Sequence, residues 1–243
     1  MEARLDPGGS AEARPEEAAE ARPAEDPAWG FASPHEPRWP AALATLAAIL
    51  LLVTLPDQLI PGPRFLIPGL LTAVLIPLWL AAPTRHHRER RHIRAVGITL
   101  IALVNLANLA TLVLLVRELL HGGTISNGRT LVGASIQIYV TNIIVFGLWY
   151  WELDRGGPGA RTHVRHRNPD FLFPQMTTPR AGPRRWTPTF VDYLYVSVTN
   201  ATAFSPTDTM PLTPVAKSLM AVQAAASLTT VAVVAARAVN ILS

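Results

Sequence analysis

The chain has 243 residues, of which 49% are hydrophobic, and a formal net charge of +4. It contains no cysteine, which excludes disulfide bonds, thiolate catalysis and cysteine-ligated metal or iron–sulfur sites. The apolar residues lie in long blocks, which is typical of helices that cross a bilayer. The sequence therefore predicts an all-α integral membrane protein. It predicts no nucleic-acid partner, because the basic residues lie between the apolar blocks.

Residues 1–39 form an acidic, proline-rich arm. They contain nine acidic residues and four arginines, with almost no aliphatic side chains. Such a segment cannot bury enough apolar surface to offset the entropy of ordering its backbone, so we expect it to be disordered. We also expect it to be retained, because a cleavable signal peptide has a basic segment directly before a short apolar core. Residues 40–243 are the predicted membrane domain.

Six apolar stretches follow the arm and are the predicted transmembrane helices. They cover about residues 41–60, 65–82, 95–116, 130–151, 190–206 and 215–242. Trp149, Tyr150 and Trp151, at the end of the fourth stretch, are typical of an aromatic belt at a membrane surface. The fifth stretch is short for a full crossing, because its 17 residues span only about 25 Å as a helix. The sequence leaves open whether this stretch crosses the membrane or forms a re-entrant loop.

The distribution of arginine predicts the orientation of the helices. Loops 83–94 and 152–189 together contain twelve arginines, whereas the loops on the opposite side contain three arginines and one lysine. Since positively charged loops stay in the cytoplasm, both rich loops and both termini are predicted to be cytoplasmic. The arginines are expected to contact anionic lipid headgroups. Twenty arginines against one lysine indicate a high-GC bacterial genome, and hence a bacterial plasma membrane.

Polar side chains near the middle of the predicted helices are the first set of candidate site residues. An amide or hydroxyl exposed to hydrocarbon is costly, so these side chains are expected to face one another inside the bundle. They could form interhelical hydrogen bonds, or they could line a polar pathway for an ion or small solute. The set consists of Asn105, Asn108, Gln137, Asn142, Thr199, Asn200, Thr202 and Gln223.

A segment near the C-terminus resembles the pore loop of a simple potassium channel. In that family an acidic residue opens an aromatic-rich pore helix, which leads into the filter Thr-Val-Gly-Tyr-Gly-Asp and then the inner helix. Residues 195–208 match this order, and residues 213–218 resemble the start of the inner helix. The residues that fall on the filter are Ala203, Phe204, Ser205, Pro206, Thr207 and Asp208. The resemblance implies an ion channel.

The filter-like segment departs from the potassium-channel pattern. Ser205 and Thr207 stand where the family has glycine, and Pro206 stands where it has tyrosine. Glycine lets the backbone carbonyls point at the ion, so these replacements argue against potassium selectivity. The sequence is also similar to an uncharacterised family of small multi-spanning bacterial membrane proteins, which has Asp-Tyr-Leu-Tyr followed by a Thr/Ser-Asp pair. That second resemblance extends over all the spans.

The sequence contains no pattern that indicates an enzyme. It lacks a phosphate-binding glycine loop, a His-Glu-x-x-His motif and a nucleophile elbow, and it predicts no cofactor or metal. The principal prediction is a multi-pass, non-enzymatic membrane protein of unspecified role. One alternative is an ion channel or small-solute transporter that uses residues 192–214, with a homo-oligomer as one arrangement. A second alternative is an assembly or regulatory protein that recruits a partner through the N-terminal arm.

Overall fold

The computed structural model describes residues 36–66, 68–70, 72–73, 91–120, 128–161, 168–177, 186–203 and 208–242. The predicted disorder of the arm falls outside these ranges for residues 1–35. Most of the second apolar stretch and most of loop 83–94 also lie outside them. The described residues are mainly helical.

The helices and strands are as follows. The α-helices are α1 (Trp39–Val53), α2 (Arg91–Leu120), α3 (Gly128–Leu153), α4 (Pro158–Arg161), α5 (Pro174–Thr177), α6 (Phe190–Ala203) and α7 (Pro214–Leu242). Two short 3-10 turns cover Asp57–Leu59 and Asp154–Gly156, and two short strands are β1 (Phe171–Leu172) and β2 (Met210–Pro211).

Three helical segments are long and apolar enough to cross a membrane. They are Arg94–Leu120, Gly128–Gly156 and Pro214–Ala236, with 27, 29 and 23 residues. They coincide with the third, fourth and sixth apolar stretches, so the prediction of long apolar helices there is confirmed. The first stretch behaves differently, because its helix α1 has only 15 residues and ends at Val53. Pro56 follows shortly, and a proline disfavours helical geometry in the residue before it.

Helix α3 lies at the centre of the described bundle. It contacts α1, α2, α6 and α7. Ile138, Phe146 and Tyr150 on α3 are fully buried. The contact with α6 is especially close at Gly147, where an added Cβ would lie 3.2 Å from the Cα of Leu194. The absence of a side chain at residue 147 therefore allows α6 to pack closely against α3.

The start of α2 lies beside the end of α3. Nε of Arg94 donates a hydrogen bond to Oε1 of Glu152 at 3.1 Å, and Nη2 of Arg94 donates to the Glu152 carbonyl at 3.3 Å. The two helices are therefore antiparallel, and the described residues of loops 83–94 and 152–189 that flank them, 91–94 and 152–161, lie at one end of the bundle. We call this end, marked by Arg94 and Glu152, the arginine-rich end.

A small antiparallel ladder joins the chain before α6 to the chain after it. Phe171 pairs with Pro211 and Leu172 pairs with Met210. The backbone N–H of Leu212 also donates to the carbonyl of Asp170 at 2.8 Å. The segments on the two sides of α6 therefore lie next to each other, at the arginine-rich end.

This pairing bears on residues 190–206, for which the sequence left both a full crossing and a re-entrant loop open. Helix α6 has 14 residues, or about 21 Å of helix. Near its C-terminal end, Asn200 contacts Met220, which lies within the first two turns of α7. Helix α6 thus enters from the arginine-rich end and stops partway along α7, and by Met210 the chain is again at that end. Helix α6 is therefore a half-length helix, and the described chain before it and after it lies at the same end of the bundle.

Candidate functional site

Two groups of buried polar side chains hold α6 in place. The first, which we call the end cluster, lies at the arginine-rich end and consists of Glu36, Asp154, Arg155, Arg161, Asp170 and Tyr193. The second, which we call the interior network, lies between α3, α6 and α7 and consists of Asn142, Tyr150, Ser197, Asn200, Gln223 and Ser227.

Asp154 is the centre of the end cluster and is fully buried. Its Oδ1 accepts hydrogen bonds from the backbone N–H groups of Asp170 at 2.8 Å and Phe171 at 3.3 Å. Its Oδ2 accepts from the Tyr193 hydroxyl at 2.6 Å and from Nε of Arg155 at 3.1 Å. Burial of a carboxylate is tolerated when such donors surround it. Asp154 thereby joins the end of α3 to β1 and to the first turn of α6.

Asp170 extends these contacts to the start of α7. Its Oδ1 accepts a hydrogen bond from the Thr213 hydroxyl at 2.7 Å, and its Oδ2 accepts from the backbone N–H of Arg155 at 3.0 Å. Since Thr213 immediately precedes α7, one carboxylate fixes both the turn after α3 and the chain that returns from α6.

The turn after α3 requires unusual backbone geometry. Arg155 has a φ of 54°, which a non-glycine residue rarely adopts, and Gly157 has a φ of 95°. A Cβ at residue 157 would lie 2.9 Å from the carbonyl oxygen of Glu152. Only glycine fits there, and the contacts of Asp154 and Asp170 hold the turn in this shape.

Arg161 is buried between the segment before α1 and the end of α3. Its Nε and Nη2 donate to Oε2 of Glu36 at 3.3 and 2.8 Å, and its Nη1 donates to the carbonyls of Trp151 at 2.7 Å and Asp154 at 3.0 Å. Burial alone lowers the pKa of this guanidinium, but the electrostatic effects of Tyr193 and Glu36 outweigh it and the pKa is raised. Arg161 is therefore a permanently charged, fully enclosed contact.

Gln223 is the centre of the interior network. Its Oε1 accepts hydrogen bonds from the Tyr150 hydroxyl at 2.5 Å and from Nδ2 of Asn200 at 2.8 Å. Its Nε2 donates to the carbonyl and to the hydroxyl oxygen of Ser197, at 2.9 and 2.7 Å. Every hydrogen-bonding position of this fully buried amide is used, so Gln223 ties α7 to both α3 and α6.

The other members complete the network. Asn142 donates to the Ser227 hydroxyl at 2.9 Å, Ser197 donates to the Ile143 carbonyl at 2.6 Å, and Asn200 donates to the Met220 carbonyl at 3.0 Å. These three hydrogen bonds join α3 to α7, α6 to α3, and α6 to α7, respectively. The network leaves the Asn142 Oδ1 buried without a hydrogen-bond partner.

The candidate residues from the sequence fall into three groups. Asn142, Asn200 and Gln223 meet in the interior network, and Gln137 donates to the Thr54 hydroxyl at the end of α1, at 3.1 Å. Asn105 and Asn108 on α2 each have buried amide atoms that no described residue hydrogen-bonds.

The remaining candidates lie on or just after α6. Thr199 and Thr202 donate to carbonyls of α6 itself, and these hydrogen bonds are solvent-exposed. Of the filter-like segment, Ala203 is the last residue of α6 and Asp208 is exposed, while residues 204–207 lie outside the described ranges. The hypothesis that any of these residues lines a pathway for an ion or small solute stays a prediction.

Sequence analysis missed the end cluster. Glu36 and Arg161 are 125 residues apart, and nothing in the local sequence links them. The prediction of an aromatic belt also placed Tyr150 at the membrane surface, whereas its hydroxyl lies inside the interior network. A signal for Tyr150 did exist, because it falls two helical turns after Asn142 and hence on the same face of α3.

Comparisons with known proteins add no assignment to this geometry. Protein-family models, curated proteins and solved structures were compared with the chain, and none matches it. Among the described residues, no group of three or more His, Asp or Glu side chains could hold a metal ion. The end cluster, the interior network and the half-length helix α6 between them are therefore the features from which a function must be argued.

Proposed function

We propose that the chain is an integral membrane protein with five crossings and one re-entrant helix. The crossings are α1 with the turn after it, the apolar stretch 65–82, α2, α3 and α7. The three long apolar helices support this proposal, as do large apolar side chains on their surfaces. Leu106, Val113 and Leu228 are more than half exposed, which suits contact with lipid.

In this arrangement the arginine-rich end faces the cytoplasm of a bacterial cell. The N-terminus lies on that side, because the segment before α1 contacts the end cluster. The C-terminus lies on the opposite side, since α7 is the fifth crossing. This replaces the cytoplasmic C-terminus that six crossings would give.

We propose further that α3, α6 and α7 form a channel subunit of the pore-loop type. The observation that carries this proposal is the β1–β2 ladder, which brings the chain on both sides of α6 to the same end. The elements follow the order that the potassium-channel resemblance implies. Helix α3 is the outer helix, α6 is the half-length helix, and α7 is the inner helix. Residues 204–213 between α6 and α7 are the return segment. Ser205 and Thr207 replace the filter glycines, so the conducted species is a cation or small polar solute without potassium selectivity.

The conducting path in this proposal lies between copies of the chain. The interior network cannot be the path within one copy, because the polar atoms of Gln223 are all engaged and Asn200 holds two of its neighbours. The exposed faces of α6 and α7 carry the hydroxyls of Thr199, Thr202 and Thr229, each bonded to its own helix. Copies packed around these faces would enclose the return segment between them and keep its polar backbone groups away from lipid.

Flux measurements on liposomes test this function. The purified protein should release a trapped cation, and Asp208→Asn should reduce the initial rate at least several-fold, because it removes an exposed carboxylate at the mouth of the return segment. Asp57→Asn is the matched control, since Asp57 is also exposed but lies beyond the other end of α1. If the protein releases no solute, or if both variants lower the flux equally, the channel proposal is wrong.

A further inference from the structure

The segment before α1 is attached to the arginine-rich end through Glu36. The side chain of Glu36 is only 4% exposed, although it follows a long polar arm. Its Oε2 accepts both hydrogen bonds from Arg161, and its Oε1 accepts a hydrogen bond from the indole N–H of Trp151. A carboxylate buried in this way is held by specific partners and not by apolar packing.

The partner of Glu36 touches the re-entrant helix directly. The Arg161 guanidinium carbon lies 5.2 Å from the centre of the Tyr193 ring, and Tyr193 is in the first turn of α6. The Tyr193 hydroxyl is bound to Asp154, and Asp154 is bound to the backbone of Asp170.

These contacts continue to the return segment. Asp170 accepts hydrogen bonds from the Thr213 hydroxyl and the Leu212 N–H, just before α7. Direct contacts therefore run without interruption from the segment before α1 to residues 210–213. These residues belong to the described part of the return from α6, residues 208–213.

We propose that Glu36 is a latch through which the segment before α1, residues 36–38, controls the return segment after α6. With Glu36 in place, its carboxylate neutralises the buried Arg161 and keeps it against the Tyr193 ring. Without Glu36, the guanidinium keeps its hydrogen bonds to the carbonyls of Trp151 and Asp154 but has lost the carboxylate that neutralises it, which is costly for a buried charge, so it moves towards water. Tyr193 and Asp154 then lose their packing, and the β1–β2 ladder loosens. The latch deepens the proposed function, on which its role as a regulator of conduction rests.

The reactivity of a single introduced cysteine tests the latch without any measurement of conduction. Thr209 is 6% exposed and adjoins β2, and the chain has no other cysteine. Thr209→Cys should react slowly with a maleimide in open membranes, and adding Glu36→Gln should raise the rate about tenfold. Glu118→Gln is the matched control, because Glu118 on α2 has a buried Oε2 without a hydrogen-bond partner. The control should leave the rate at Thr209→Cys unchanged.

A double-variant comparison decides whether Glu36 acts through Arg161. Arg161→Met should raise the labelling rate as Glu36→Gln does, and the two together should raise it no further, since they break one contact. Arg161→Lys, which keeps the charge, replaces Arg161→Met if the latter does not accumulate, and it should raise the rate less. An unchanged rate in Glu36→Gln, or effects that multiply, would overturn the latch. An absence of flux would contradict the channel alone, because the labelling does not depend on conduction.

Discussion

Two regions of the bundle bury amide side chains in opposite ways. Between α3, α6 and α7, Gln223 is fully buried and all of its hydrogen-bonding positions are used. On α2, Asn108 is only 1% exposed, yet neither its Oδ1 nor its Nδ2 has a hydrogen-bond partner in the part of the chain that the structure describes. Helices α2 and α7, which carry Asn108 and Gln223, look alike in sequence, because each is a long apolar run with amides near its middle. The difference shows that a buried amide fixes the packing of helices only where its partners are supplied.

Replacing Gln223 gives the largest expected effect. Gln223→Leu removes the acceptor of the Tyr150 hydroxyl and one partner each of Asn200 and Ser197, which keep their hydrogen bonds to the Met220 and Ile143 carbonyls. One unpaired buried hydroxyl costs about 1–3 kcal/mol and each other lost hydrogen bond about 0.5–1.5 kcal/mol, so the loss of stability should be about 3 kcal/mol. Unfolding of the purified protein in bicelles by a denaturing detergent measures it. A loss below about 0.5 kcal/mol would mean that the interior network does not hold α6.

Replacing Asn108 should have the opposite sign. Asn108→Leu keeps the branched shape of the side chain and removes two buried polar atoms that have no hydrogen-bond partner. The variant should be more stable by about 1 kcal/mol in the same unfolding assay, because an unsatisfied polar group is removed from the interior. If Asn108→Leu is instead strongly destabilising, the amide has a polar partner outside the described residues, and the contrast between the two regions disappears.

Replacing Thr199 should change stability least. Its hydroxyl donates to carbonyls of its own helix, and the side chain faces outward from α6. Thr199→Val should therefore shift the free energy of unfolding by less than about 0.5 kcal/mol. The same variant in the liposome assay sharpens the proposal, since a change in flux without a change in stability is expected of a residue that faces the path. A large loss of stability would place Thr199 in a contact between copies.

The sequence was sufficient to predict α2, α3 and α7, because runs of apolar residues long enough for a bilayer leave few alternatives to a helix. It also singled out Asn142, Asn200 and Gln223, which meet in the interior network. It could not predict the satisfied or unsatisfied state of each amide. That state depends on which polar groups the neighbouring helices place beside the amide, as they do for Gln223 and not for Asn108 among the described residues.

The path of the chain around α6 could not be decided from charge. A full crossing and a re-entrant helix differ only in which side receives Lys217 and Arg237, so the excess of arginine falls on the same side in both. The features that distinguish them are a ladder of two-residue strands and the contact of Asp170 with Thr213. Strands this short have no periodicity to detect in a sequence. The pairing of Glu36 with Arg161 is equally invisible, because it depends on where α1 begins relative to α3.

The most direct measurement is the sidedness of two single cysteines placed on either side of α6. Gln175 and Met210 are both exposed, and the introduced cysteines would be the only thiols in the chain. A membrane-impermeant maleimide applied to sealed, oriented vesicles should label Gln175→Cys and Met210→Cys from the same, cytoplasmic side. Labelling of the two positions from opposite sides would show that residues 190–206 cross the membrane, and the re-entrant helix and the channel subunit built on it would be contradicted.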